Sequence, residues 1–155
     1  MQFKLLGVDN MNTALENKRL YSMQSIEDIA LDHLTSRAKD IKSLMDRQQS
    51  EDQKEADQAQ EEFNQYGLSF DYVQPFTFDD QRAGYWRWQI SWGGPSEEFR
   101  IYVDQDNQIK AIDFTYLDWG EGHSITLDFP VNPEYDAIFN AVDYFLETAQ
   151  VREGF

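Results

Sequence analysis

Residues 85–129 constrain the fold more than any other part of this sequence, because apolar and polar residues alternate there over four successive runs. Side chains two positions apart on a strand share a face, so each run predicts a β-strand. Short turns rich in Gly, Asp and Asn separate the runs, at residues 93–96, 104–107 and 118–122. Connections of this length close hairpins, so the region predicts a four-stranded antiparallel meander.

The alternation also predicts which strand faces are buried. In three runs the apolar residues occupy a single face, whereas the third run carries apolar residues on both faces. This difference predicts that the third strand is central and covered on both sides. The single-face sets are Trp86, Trp88, Ile90 and Trp92; Phe99, Ile101 and Val103; and His123, Ile125, Leu127 and Phe129. The third run has Ile109, Ala111 and Leu117 on one face and Ile112, Phe114 and Tyr116 on the other.

A long amphipathic helix is predicted to begin after Ser25. Serine is a favoured N-cap, and Glu27 and Asp28 place acids in the first turn, where free backbone N–H groups favour negative charge. Apolar residues then recur at helical spacing as far as Met45. The same phase continues to Tyr66, but polar residues interrupt it near residues 47–52, so one long helix and two shorter helices both fit the pattern. Gly67 is the predicted C-terminal cap.

Weaker patterns complete the chain. Residues 2–6 predict a short strand or arm, residues 12–23 a short helix, residues 68–73 another strand, and residues 76–84 a loop. Asn132, Pro133 and Glu134 predict the start of a final helix with a buried stripe. We therefore predict one α+β domain: a mainly helical part (1–66), an antiparallel sheet of about five strands (67–130), and a C-terminal helix (131–150) packed on the sheet. The stripe consists of Ala137, Ile138, Ala141, Val142, Phe145 and Leu146.

The negative charge of the chain is unevenly distributed. The formal net charge is −16, yet residues 1–50 contain seven acidic and seven basic residues. Residues 51–66 contain six acids and one base, and residues 97–155 contain thirteen acids and three bases. The acid is therefore concentrated in one helical segment and in the second half of the sheet with the residues that follow it.

The sequence lacks the residues that common cofactor sites require. With no cysteine and only two histidines, His33 and His123, the usual zinc ligand sets cannot be assembled. The turn at residues 104–107 resembles the start of a calcium loop, but the glycine and glutamate that such a loop needs are missing, which favours a hairpin turn. We expect no cofactor. The absence of cysteine, of a signal-peptide pattern and of a long apolar run predicts a cytoplasmic protein without a membrane span.

One group of residues suggests catalysis. Asp118, Glu121 and His123 lie close together in sequence at one end of the sheet, and carboxylates and imidazoles are the usual general acids and bases. The alternative interpretation is a polar hairpin tip with His123 starting a strand. We favour the hairpin tip and expect no enzymatic activity.

The charge predicts the kind of partner. Aromatic residues on a sheet can stack on bases, but phosphate binding needs a cationic surface, so direct binding to nucleic acid is not expected. Most of the aromatic residues are predicted to be core, and Trp119 is predicted to be exposed as an anchor for a partner. On a helix, Glu51 and Glu55, or Asp57 and Glu61, stand about 6 Å apart and repel each other. This acid either keeps the protein soluble or occupies the cationic nucleic-acid groove of another protein, with fast, salt-sensitive association.

The acidic stretch SEDQKEADQAQEEF, the acidic turns EEF, DQDNQ and DWGEG, and the lack of cysteine resemble the small acidic proteins of phages and plasmids that mimic DNA to inhibit restriction or CRISPR systems. The resemblance implies an inhibitor that binds a basic host defence complex. Three alternatives remain open: an immunity protein for a basic nuclease toxin, an enzyme using residues 118–123, and an acidic oligomeric structural protein. The predicted partner-binding residues are Glu51, Asp52, Glu55, Asp57, Glu61, Glu62, Glu97, Glu98, Asp104, Asp106, Asp118, Trp119 and Glu121.

Overall fold

A computed structural model describes residues 24–128 and 132–153. The predicted arm at 2–6, the predicted helix at 12–23 and Phe129 lie outside these ranges. The described helices are α1 (Ile26–Arg47), α2 (Gln53–Asn64) and α3 (Asp136–Glu153), the last preceded by a 3₁₀ turn at Pro133–Tyr135. The described strands are β1 (Ser69–Val73), β2 (Tyr85–Ser91), β3 (Ser96–Val103), β4 (Ile109–Asp118) and β5 (Glu121–Thr126).

The five strands form one antiparallel sheet in the order β1-β2-β3-β4-β5. Each strand pairs with its neighbour in sequence, so the predicted meander and the α+β class are confirmed. Turns at residues 74–84 and 104–108 lie at one end of the sheet, and turns at residues 92–95 and 119–120 lie at the other. Of the described helices, none is both long enough and apolar enough to cross a membrane.

The helix-covered face of the sheet is built on a row of large side chains that crosses all five strands. The register pairs Phe70 with Trp88, Trp88 with Phe99, Phe99 with Phe114, and Phe114 with Ile125. The ring centroid of Phe99 lies 5.5 Å from that of Trp88 and 5.2 Å from that of Phe114, within the range of favourable aromatic contacts. Phe145 of α3 packs on this row, 5.1 Å from the ring of Trp88. The C-terminal helix therefore packs on the sheet as predicted.

The opposite face of the sheet is polar. Its central row pairs Asp71, Arg87, Arg100, Asp113 and Thr126 across the five strands. Arg87 forms an ion pair with Asp71, and Arg100 forms one with Glu98. No residue of this row belongs to the core shared with the described helices. The second face thus balances part of its own charge, across β1 and β2 through Arg87–Asp71 and within β3 through Arg100–Glu98.

Local capping explains where the helices begin and why α1 and α2 are separate. Ser25 Oγ accepts a hydrogen bond from the N–H of Asp28, which confirms the predicted N-cap of α1. Asp52 accepts from the N–H of Lys54 and caps α2 in the same manner. Because an N-cap residue has extended backbone, Asp52 interrupts the helical path and the two-helix alternative is correct. Asn132 caps the 3₁₀ turn that leads into α3.

Two predictions about burial are wrong. Trp92 lies beyond the end of β2 and is 77% exposed, because a register shift between Gln89 and Ser91 breaks the alternation that placed it in the core. Strand β4 is covered fully on only one face. Leu117 is exposed and Ala111 only partly buried, whereas a second irregularity, between Tyr102 and Val103, turns Ile109 towards the helices.

We predict that Gly67→Ala destabilises the fold much more than Gly120→Ala. Both glycines have nearly the same positive φ, +86° and +84°, so the backbone strain of an alanine is matched. A Cβ at Gly67 would lie 2.7 Å from Trp88 Nε1 and 2.9 Å from the Gln89 carbonyl oxygen, whereas a Cβ at Gly120 meets open space. We expect a difference of about 2 kcal/mol in the free energy of unfolding, measured in urea. Equal losses would mean that the backbone at Gly67 does not pack this closely on β2.

Candidate functional site

The candidate site begins with an acidic segment, which we define as Glu51, Asp52, Glu55, Asp57, Glu61 and Glu62. All six side chains are exposed or partly exposed. Helix α2 presents most of them because only Ala59 and Phe63 turn inward, where Phe63 stacks on Phe145 at 4.9 Å. The apolar side of α2 therefore fixes the direction in which the acidic side faces.

Arg47, at the end of α1, meets one edge of the acidic segment. Its Nη1 donates to Glu62 at 2.8 Å, and its Nε lies 3.9 Å from Glu55. The hydrogen bond from Arg47 lowers the pKa of Glu62 below its ordinary value. Among the described residues, no cationic group lies within ion-pair distance of Glu51, Asp57 or Glu61. These three carboxylates are therefore available to an external cation.

The prediction that Glu51 and Glu55 repel each other one turn apart on a helix is wrong, because Glu51 precedes the N-cap of α2. Glu55 instead accepts a hydrogen bond from Ser50 Oγ at 2.9 Å. Asp57 and Glu61 do both lie on α2, one turn apart, and Asp57 accepts from Gln53 Nε2. Like-charge repulsion on this helix is thus confined mainly to its middle and C-terminal half.

Two of the predicted partner-binding residues are buried. Glu97 and Glu98 lie within β3 and are 1% and 6% exposed, so the prediction that they form an acidic turn is wrong. Glu98 faces the polar side of the sheet, where it accepts a hydrogen bond from Arg100 at 3.0 Å. Counting acids along the sequence could not separate these carboxylates from the exposed ones. The charge of Glu97 is balanced by Arg37, which lies 60 positions earlier in the sequence.

Glu97 is the centre of a buried polar cluster that joins α1 to β3. Its carboxylate accepts hydrogen bonds from Arg37 Nη2 at 2.5 Å and from Ser91 Oγ at 2.8 Å, and it lies 2.9 Å from His33 Nδ1. Burial alone would raise the pKa of Glu97, but the hydrogen bonds from Arg37, Ser91 and His33 outweigh it and lower the pKa. The ring of His33 also contacts Tyr116, at a centroid distance of 4.7 Å.

Arg37 links this cluster to the residues that follow α2. Its Nη1 donates to the hydroxyl of Tyr66, which in turn donates to Asp40. Burial raises the pKa of Tyr66 to about 12, despite the opposing effect of Arg37. Since the carbonyl of Tyr66 accepts from Trp88 Nε1, the same residue is tied to the sheet. These contacts fix α1, the end of α2 and β2 relative to one another.

The acidic turns lie at opposite ends of the sheet. Asp104 and Asp106 occupy the β3–β4 turn, where Asp104 is already used as an acceptor by two backbone N–H groups. Asp118 and Glu121 flank the β4–β5 turn, which is separated from the other turn by the ten residues of β4, about 30 Å. The thirteen predicted residues therefore do not form one continuous surface.

We define the tryptophan end of the sheet as Trp92, Gly94, Asp118, Trp119 and Glu121. Trp119 is 93% exposed, so its predicted exposure is confirmed. A Cβ built on Gly94 would lie 3.2 Å from Trp119 Nε1, which places this indole beside the β2–β3 turn. Trp92 was missed as a surface residue for the reason given above. The chain that leaves α2 enters β1 at this same end, where the N–H of Leu68 bonds to the carbonyl of Gln89.

The structure does not assemble the candidate acid/base group. Asp118 and Glu121 lie directly opposite each other in the β4–β5 hairpin, and His123 lies opposite Tyr116. All three residues are described, and no hydrogen bond or ion pair joins them. Within residues 24–128 and 132–153, no three His, Asp or Glu side chains are arranged to hold a metal ion.

No family model, curated protein or solved structure matches this chain. The assignment of function therefore rests on the geometry and charge of the two surfaces, the acidic segment and the tryptophan end.

We predict that Glu97→Gln destabilises the protein by about 3 kcal/mol, because it leaves the Arg37 guanidinium without its buried counter-charge. Glu62→Gln is the matched control, since it also removes an arginine partner but at the surface, where ion pairs contribute little. The two free energies of unfolding are compared in urea at pH 7.

The same substitution changes the dependence of stability on pH. The pKa of Glu97 is lowered in the folded state, so its contribution is present above the ordinary value of 4.5 and is lost as the pH falls through the lower folded-state value. We expect wild-type stability to fall more steeply on acidification than that of Glu97→Gln. Parallel curves would mean that Glu97 is not ionised in the folded protein.

Proposed function

We propose that this chain is a non-enzymatic binding protein that occupies the basic nucleic-acid-binding surface of another protein. The acidic segment takes the place of phosphate groups, and the tryptophan end is a second contact. In this proposal the chain itself binds no nucleic acid, since its exposed charge is predominantly negative.

The observation that carries the proposal is the set of carboxylates without a cationic partner on α2 and just before it. Glu51, Asp57 and Glu61 are exposed, and α2 holds Asp57 and Glu61 about 6 Å apart. Phosphates in nucleic acid follow one another on a similar scale of a few ångström. Because α2 is anchored by Phe63 and by the Arg47–Glu62 ion pair, little ordering of the acidic segment is needed on binding.

The cost of this arrangement also supports a binding role. Like charges one turn apart on a helix reduce its stability. On the polar face of the sheet, by contrast, Asp71 is paired with Arg87 and Glu98 with Arg100. The acidic segment departs from that pattern with a single lysine, Lys54, among six acids. A cationic partner surface would relieve the repulsion, and complementary fields would accelerate association at low salt.

The resemblance to phage and plasmid DNA mimics supplies the class of partner within this proposal. It favours a restriction or CRISPR complex, whose nucleic-acid channel is lined by lysine and arginine side chains. An immunity protein for a basic nuclease would present the same surface, so competition with DNA is the decisive property for both.

The proposal predicts that the wild-type protein displaces fluorescent DNA from such a complex and that loss of the acidic segment abolishes this. The test variant is Glu51→Gln, Glu55→Gln, Asp57→Asn and Glu61→Gln, which leaves the N-cap Asp52 and the Arg47–Glu62 pair intact. We expect competition to weaken at least about tenfold, because four charge contacts are removed. Displacement is measured by fluorescence anisotropy over a salt series.

The matched control removes the same number of acids from elsewhere on the surface: Asp79→Asn, Asp80→Asn, Asp143→Asn and Glu147→Gln, all at exposed positions. Its competition should stay within about twofold of wild type. Equal loss in both variants would assign the effect to net charge, and no loss in the first variant would exclude α2 as the interface.

A further inference from the structure

The β4–β5 turn holds an aromatic residue in a conformation that aromatic residues rarely adopt. Trp119 and Gly120 connect the strands with φ values of +46° and +84°. Two positive φ values in a two-residue hairpin define a type I′ turn, in which asparagine or glycine is favoured at the first position. Tryptophan there carries the backbone strain of a left-handed residue without gaining burial, since its side chain is 93% exposed.

A second exposed indole lies at the same end of the sheet. Trp92 is 77% exposed and begins the β2–β3 turn, whose Gly94 lies beside the indole of Trp119. Most of the other large aromatic side chains on the described strands are buried or partly buried, including Trp86 and Trp88. Isolated exposed apolar side chains are normal, but two tryptophans on adjacent turns form a patch that marks an interaction surface.

The charges around the patch specify its occupant. Asp118 and Glu121 flank the Trp119–Gly120 turn and face each other across the hairpin without a cationic partner in the described chain. An indole face attracts a cation through its quadrupole, and two carboxylates attract the same cation by charge. The patch is therefore complementary to a cationic side chain that has a flat apolar surface.

We infer that the tryptophan end is a contact site for arginine side chains of the partner protein, with Trp119 and Trp92 stacking on guanidinium groups and Asp118 and Glu121 accepting their hydrogen bonds. Arginine fits better than lysine because its planar, weakly hydrated guanidinium both stacks on aromatic rings and binds carboxylates in a bidentate manner. The inference rests on the proposed function, and it names the chemistry that the basic partner presents at this end.

The test uses a nona-arginine peptide as the probe, with a nona-lysine peptide of equal charge as its control, in 150 mM NaCl. Binding is followed by the indole Nε1–H signals in ¹H–¹⁵N NMR spectra and by isothermal titration. We expect the signals of Trp92 and Trp119 to shift, that of buried Trp88 to stay, and nona-lysine to bind more weakly by at least about threefold.

Two substitutions separate a binding role from a structural one. Trp119→Asn introduces the residue that a type I′ turn favours, so its urea midpoint should rise while its affinity for nona-arginine falls more than about fivefold. Trp92→Ser changes an exposed residue outside the strands and should weaken binding similarly without altering stability. Phe78→Ser is the control, an exposed aromatic residue at the other end of the sheet, and should leave the affinity unchanged.

The outcomes distinguish this inference from the proposed function. If both tryptophan variants bind like wild type, or if nona-lysine binds as well as nona-arginine, the inference is overturned, whatever the acidic segment does. If the tryptophan variants lose binding while the four-substitution variant of the acidic segment loses none, the inference stands and α2 is excluded as the basic-partner surface. A fall in the urea midpoint of Trp119→Asn would overturn the claim that Trp119 costs stability in a turn that favours asparagine.

Discussion

The aromatic row across the helix-covered face is the constraint on which the rest of the structure depends. Phe70, Trp88, Phe99 and Phe114 leave one face of a five-stranded sheet strongly apolar, so that face must be covered. Helices α1 and α3 cover it, and α2 packs against α3 through the contact of Phe63 with Phe145. The direction in which the acidic segment faces is thus a consequence of how the sheet is buried.

A second, polar constraint fixes the position of α1 on this apolar layer. Apolar contacts resist separation but are not directional, so they tolerate small sliding of a helix. The Glu97 carboxylate, held by Arg37, Ser91 and His33, is directional and permits one register between α1 and β3. Because the charge is removed from water, any misalignment exposes an unpaired buried group. Apolar burial therefore holds α1 against the sheet, and the hydrogen bonds of Glu97 fix where along the sheet α1 lies.

Sequence patterns predicted the parts of this protein that depend on neighbours in the chain. The alternation of apolar and polar residues predicted the strands, and the short turns predicted the meander. Ser25 and Asn132 were correctly predicted as N-caps. The failures have two causes: contacts between residues far apart in the sequence, and local breaks in a helix or strand, at Asp52 and between Gln89 and Ser91. Glu97 lies among acids in sequence but beside Arg37 in space, and Trp92 keeps the alternating phase of a strand that an irregularity has already ended. The available acidic surface was consequently overestimated, and one exposed tryptophan was missed.

The distribution of paired and unpaired acid connects the fold to its proposed use. On the polar sheet face, Asp71 and Glu98 are paired with arginines. Among the carboxylates that have no cationic partner in the described chain are those of Asp57 and Glu61 on α2 and those of Asp118 and Glu121 at the tryptophan end. Both pairs are held by elements that the core makes rigid. Their negative charge is therefore fixed in place before a partner arrives, and preorganised charge loses less entropy on binding than charge on a mobile tail.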